Sequence, residues 1–158
     1  YARTKILAEK EIQKLRDFLI LRVDVMYGYN GRDKPNGVFN WILSGKEMYL
    51  REPDQLRQPV FIEDVVNAMQ ELIKKNKKGI FHVAGPTRIK MIDFLQKLEK
   101  IVRENSKIKI SKDKPELEIK IPMNATLDVS KIKNLGMKTH ELGEGISIIK
   151  KQFDSVHY

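Results

Sequence analysis

Phe18-Leu19-Ile20-Leu21-Arg22-Val23 is a nearly continuous apolar run. Such a run suits a strand buried on both faces, as in a parallel sheet whose two sides are covered by helices. Its surroundings support that reading. Upstream, residues 1–15 place Ala2, Ile6, Leu7, Ile12 and Leu15 at helical spacing with charges between them, which predicts an amphipathic helix. Downstream, residues 27–37 are rich in Gly, Asn, Asp and Pro and read as a loop of functional length. Residues 38–43 then predict a short helix ending near Gly45, and residues 48–50 a short strand. Residues 58–61 read as extended, with Pro59 limiting the ladder they can form.

A second helix–strand alternation follows. Ile62-Glu63-Asp64 opens a helix with acidic residues in its first turn, and Val65, Val66, Met69, Leu72 and Ile73 recur at helical spacing. Gly79 reads as its stop. Residues 80–83 predict another buried strand, ended by Ala84-Gly85-Pro86. Residues 89–103 form a further amphipathic helix with Met91, Phe94, Leu95, Leu98 and Val102 on its apolar side. Residues 107–119 are lysine-rich with short apolar alternation, residues 128–134 predict a short helix stopped by Gly136, and residues 142–153 a last helix. Alternating helices and buried strands define an α/β domain.

The 158 residues suffice for one compact core, and they carry a net charge of +9. A basic chain can take nucleic acid, anionic lipid or a phosphorylated small molecule. Here the cations alternate with carboxylates, as in Lys97, Glu99, Lys100, Arg103 and Glu104. The one dense cluster (Lys74, Lys75, Lys77, Lys78) sits at a helix end, where cations complement the dipole. With no aromatic-plus-basic stacking platform, nucleic acid is the disfavoured partner.

Cysteine is absent, which excludes disulfides, thiolate metal sites and a cysteine nucleophile, and fits a reducing cytoplasm. His82, His140 and His157 match no zinc spacing, so no metal is expected. No apolar run of membrane-spanning length and no signal-peptide pattern is present. The chain opens on Tyr1 rather than methionine, and a missing amino-terminal half is expected before it.

Tyr1-Ala2-Arg3-Thr4-Lys5 has the spacing Y-x-x-x-K. On a helix, positions i and i+4 share a face, so a phenol and an ammonium point into one cleft. A free phenol, with a pKa of about 10, shuttles protons poorly at neutral pH. A nearby ammonium favours the phenolate, which makes such a pair an acid suited to a carbonyl that receives hydride. A surface tyrosine beside a surface lysine gives the same spacing, so the motif needs its context.

That context resembles the extended short-chain dehydrogenase/reductase family. There the Y-x-x-x-K helix precedes a strand and an R-x-x-x-x-Y-G segment, here Arg22 to Tyr27-Gly28. Arg57-Gln58-Pro59 through Asp64-Val65 is similar to the family's R-x-P-x-x-x-x-D-V segment. Gly79-Ile80-Phe81-His82-Val83-Ala84-Gly85 is similar to its G-x-Y-H-x-A-G strand. Asn124, Leu127, Asp128, Ser130 and Lys131, then Leu135-Gly136, resemble the N-S-x-L-D-x-S-K…L-G ending of the dTDP-4-dehydrorhamnose reductase group. That group has non-catalytic relatives, among them a regulatory subunit of methionine adenosyltransferase.

The resemblance implies the carboxy-terminal part of a Rossmann-like doubly wound parallel sheet plus a small α/β substrate-binding subdomain. Residues 1–35 would finish the Rossmann-like domain, and residues 36–158 would be mainly substrate-binding with interleaved core elements. It implies an NAD(P)H-dependent oxidoreductase acting on the 4-keto group of a nucleotide sugar, dTDP-4-dehydrorhamnose above all. An epimerase or dehydratase of the same family, or a non-catalytic binding homologue, is the alternative. Tyr1 would protonate the keto oxygen and Lys5 would hold the nicotinamide ribose. Val23, Asp24 and Val25 would pass beside the nicotinamide of NADP or NAD. Asn36, Trp41 and Arg57 would contact the substrate, with Arg57 on the diphosphate. A homodimer is a further possibility the family offers.

Other roles stay open for several of these residues. Arg22 fits a structural ion pair, Trp41 a core position, Arg57 a loop cap and His82 a satisfied core histidine. Two departures from the family pattern also stand out. Ile121 precedes Pro122 where the reductases carry arginine, and Asp24 stands where a small hydroxyl residue is common. No G-x-x-G-x-x-G phosphate loop is present, so the main cradle for a dinucleotide lies outside these residues.

Overall fold

The apolar run becomes strand β1 (Leu19–Val23), which pairs in parallel with β6 (Gly79–Val83), from Leu19 opposite Gly79 to Val23 opposite Val83. A parallel pair needs a crossover, and α2 (Ile62–Lys74) lies in the connection between these two strands. The computed structural model describes residues 1–29, 38, 42, 48–50, 52–102, 108–110 and 122–157. Within them α1 (Ala2–Ile12) precedes β1. β2 (Met26–Tyr27) pairs in parallel with β5 (Val60–Phe61), and β3 (Met48–Leu50) with β8 (Ile108–Ile110). β4 (Leu56–Arg57) pairs antiparallel with β7 (Ile89–Lys90). α3 (Met91–Val102), α4 (Ser130–Lys133) and α5 (Leu142–His157) complete the described elements.

Two apolar clusters hold these pieces. In the first, Val60, Ala68, Leu72, Phe81, Val83, Ala84, Val129 and Ile132 join α2 and α4 to the β1–β6 pair. In the second, Tyr27, Phe61, Phe94, Leu95, Leu98, Leu142 and Ile149 pack α3 and α5 around the β2–β5 pair. The ring of Tyr27 meets Phe94 edge-on with centroids 5.5 Å apart. Residues 60 and 61 thus face different clusters from adjacent positions, the alternation of a strand.

Several sequence expectations change in detail. The first helix stops at Ile12, and it buries none of its residues; Ile6 is 56% and Leu7 51% exposed. Its apolar stripe is thus largely exposed, and α1 is tied to β1 through Glu9 and Arg22. The strand buried on both faces holds at Ile20 and fails at Arg22, which is exposed. Ile89 and Lys90 belong to β7, so the helix begins at Met91. Gly79 does not stop α2. The helix ends in a Schellman arrangement, with Lys77 N–H donating to Leu72 C=O (2.8 Å) and Asn76 N–H to Ile73 C=O (2.9 Å). Asn76 takes the left-handed conformation (φ 49°) that asparagine tolerates. Gly79, at φ 97°, instead opens β6.

Candidate active site

Tyr1 caps the amino terminus of α1 and Lys5 sits one turn on. Thr4 Oγ1 and Lys5 N–H both donate to the Tyr1 carbonyl, at 2.7 and 3.1 Å. This double bond to one carbonyl sets the first turn. It brings Lys5 Nζ to 5.5 Å from the centre of the Tyr1 ring, within cation–π range. Tyr1 is 94% exposed. The spacing Y-x-x-x-K therefore becomes a real juxtaposition.

The next candidates make contacts within the fold. Val23 ends β1 opposite Val83 and packs on the first cluster. The Val25 carbonyl accepts the Val60 N–H at 2.9 Å. Asp24, between them, turns inward: its side chain is 3% exposed and forms an ion pair with Arg57. The same carboxylate accepts the Gln58 backbone N–H. Two residues assigned to different ligands, a nicotinamide and a diphosphate, are thus each other's partners. Arg57 also donates from Nη1 to Gln55 Oε1 at 3.3 Å, and its buried Nε has no acceptor among the described residues. The Asp24 carboxylate that looked out of place beside a cofactor is accounted for by this pair. Asn36 and Trp41 lie outside the described residues.

Arg22 takes the structural role left open for it, binding Glu9 through Nε and Nη2 (2.6 Å for the shorter contact). That contact holds the Glu9 carboxyl below its ordinary range and the Arg22 guanidinium above its own. His82 is half-buried, with Nδ1 3.1 Å from the Asp128 carbonyl oxygen.

Residues with no signal in the spacing hold the site together. Gln58 is 3% exposed; its Nε2 donates to Gly85 C=O (2.7 Å) and its Oε1 accepts Leu127 N–H (3.0 Å). The chain passes so close here that a Cβ at Gly85 would collide with the Pro59 carbonyl oxygen. Asp64, buried at the start of α2, accepts both the backbone N–H and Nδ1 of His140, at 2.8 and 2.7 Å. Each of these partners lies far along the chain, where periodicity carries no information.

The carboxy-terminal motif is explained by the ties it makes. Asn124 forms a parallel bridge with Leu56, and its Oδ1 accepts from Thr126 N–H and Oγ1. Asp128 Oδ1 accepts Ser130 N–H at 2.9 Å, which starts α4 and holds that carboxyl below its usual range. Lys131 reaches the Ile80 carbonyl at 2.7 Å and lies 3.8 Å above the Phe81 ring.

As a donor set, these residues fit one end of a nicotinamide cofactor. The exposed phenol and ammonium of Tyr1 and Lys5 suit a nicotinamide ribose and an adjacent carbonyl.

Residues 1–154 match the RmlD substrate binding domain. The chain is 26% identical to the probable low-salt glycan biosynthesis reductase Agl14 of Haloferax volcanii over 165 aligned residues, covering 97% of this chain and 54% of that protein. It superposes on a dTDP-4-dehydrorhamnose reductase of Clostridium acetobutylicum with a TM-score of 0.78 at 19% identity, covering 98% of this chain and 55% of the other. For the Bacillus anthracis dTDP-4-dehydrorhamnose reductase in complex with NADP, the TM-score is 0.76 at 18% identity, over 96% and 54%. A UDP-glucose 4-epimerase of Thermotoga maritima, solved with UDP-glucose, gives 0.68 at 20%, over 99% and 52%. The chain thus spans about half the length of the relatives it matches. These likenesses fix a Rossmann-like α/β fold. The match along residues 1–154 establishes that the chain belongs to the RmlD substrate binding domain family.

Proposed function

We propose that the chain supplies the carboxy-terminal part of an NAD(P)H-dependent oxidoreductase that reduces the 4-keto group of a nucleotide sugar, dTDP-4-dehydrorhamnose being the first candidate. The observation that carries this reading is the Lys5 ammonium 5.5 Å from the centre of the Tyr1 ring. Tyr1 donates its proton to the keto oxygen as that oxygen gains negative charge. Lys5 binds the ribose hydroxyls and stabilises the charge left on the phenol oxygen. A bound nicotinamide would supply the hydride, and Val23 and Val25 are the residues that would border it. In this reading residues 1–35 finish the dinucleotide-binding domain and residues 36–158 are mainly substrate-binding, with β6 returning to pair with β1. Asn36 and Trp41 contact the substrate, and the protein works in the cytoplasm, as a homodimer if it follows the family.

The test uses the full-length protein, NADPH and a dTDP-4-keto-6-deoxy sugar, with oxidation of NADPH followed optically. Tyr1→Phe should lower the turnover by about 10²-fold or more, the scale of a lost proton donor. An active parent whose rate survives that substitution ends the assignment.

A further inference from the structure

Val83 ends β6, and the backbone beyond it opens into a cleft of about 360 Å³ walled by Ala84 and Pro86 on one side and by residues of 129–141 on the other. Open α/β sheets take ligands outside the carboxyl ends of their strands. The volume falls in the range of about 300–1,000 Å³ typical of small-molecule sites. None of its lining residues is among Tyr1, Lys5, residues 23–25, Asn36, Trp41 or Arg57.

The floor is apolar and fixed. Ala84, Val129 and Ile132 are buried, and Met137 packs on the same cluster. The strap over it is held at both ends. Met137 N–H donates to Ile132 C=O at 3.2 Å, and His140 is clamped by buried Asp64. Thr139 Oγ1 donates to the Ala84 carbonyl at 3.3 Å across the cleft. A smaller cavity of about 140 Å³ undercuts the same strap from the side of α2, sharing Ile132, Met137, Lys138 and Thr139.

The charged lining is two ammoniums, Lys133 and Lys138, against one carboxylate, Glu141. Glu141 is engaged by the Thr87 hydroxyl at 2.9 Å. Lys133 and Lys138 also line the cleft, and neither has a carboxylate within ion-pair reach among the described residues. An apolar floor beneath two uncommitted ammoniums matches a ligand with an apolar body and an anionic head.

We infer that this cleft is a second small-molecule site, taking an aryl or short acyl compound with one carboxylate-type head. The apolar body fills the space over Ala84, Val129 and Ile132, and the head meets Lys133 and Lys138. The clamped strap makes the site preformed, so little ordering opposes binding.

The experiment titrates 1-naphthoate into the full-length protein by calorimetry, with the neutral 1-naphthalenemethanol as its counterpart. Amide chemical shifts locate the binding. The expected result is one saturable site for the acid, with shifts centred on Ala84, Met137 and Thr139. Affinity should be lower by about ten-fold or more for the alcohol, and for the acid with Lys133→Glu/Lys138→Glu, the loss typical of a removed charge partner. The comparison of the two ligands needs no variant and stands even if the double substitution misfolds. Equal binding of acid and alcohol, absence of saturation, or shifts centred on α1 would each overturn the proposal. NADP(H) binding by the full-length protein is unaffected by the double substitution if the site is separate.

Discussion

Asp24 and Arg57 form a buried ion pair that joins the end of β1 to β4, with the carboxylate 3% and the guanidinium 24% exposed. Breaking a buried pair from one side leaves an uncompensated charge and costs about 3–5 kcal/mol; the partial exposure of Arg57 puts this pair toward the lower end. Asp24→Asn should therefore destabilise strongly, while Asp24→Asn with Arg57→Gln should cost less than the sum of the two single changes. The coupling in a double-mutant cycle should be about 1–3 kcal/mol, read from urea midpoints. Additive effects would show that the two side chains do not depend on each other.

Gln58 offers a second test, because its two bonds reach segments remote in sequence. Gln58→Ala leaves the Gly85 carbonyl and the Leu127 N–H without partners, a loss of about 2–4 kcal/mol for two stranded groups. Hydrogen exchange at Leu127 should accelerate more than exchange at Leu72, which lies in α2. Equal acceleration at both would mean a global effect only.

Burial pushes the Tyr27 phenol far up from its ordinary value, and the carboxylates of Asp64, Glu141 and Glu144 add to the shift. The folded state thus keeps a proton that the unfolded state releases above about pH 10. Stability from this group is fully present below that pH and falls as pH rises beyond it. Absorbance titration should find one tyrosine that ionises only as the chain unfolds, and Tyr27→Phe should remove that component. A full complement of tyrosines titrating before unfolding would contradict the burial.

The sequence carried the local elements well because their signals are local. The apolar run became β1, the 62–74 periodicity became α2, and Tyr1 with Lys5 met on one turn. It misplaced Gly79 because a Schellman cap on Asn76 ends the helix earlier, and asparagine is a weaker marker of such caps than glycine. It separated Asp24 from Arg57 because each was matched to a ligand and neither to the other. Side-chain partnership across the fold has no periodicity from which to read it. Gln58 and His140 were missed for the same reason: their partners arrive from distant loops.

The strip from Asn124 to Lys131 has a bearing on how the chain reaches its shape. It bridges Leu56, closes on Gln58 and anchors at Ile80, with sequence separations of 69 residues for the Gln58 contact and 51 for the Ile80 contact. These are side-chain contacts and a single bridge laid onto residues of the β4 and β6 segments, which must be in place to receive them. The strip is therefore a late clasp. In a refolding time course, protection of the Leu127 amide should trail that of β6.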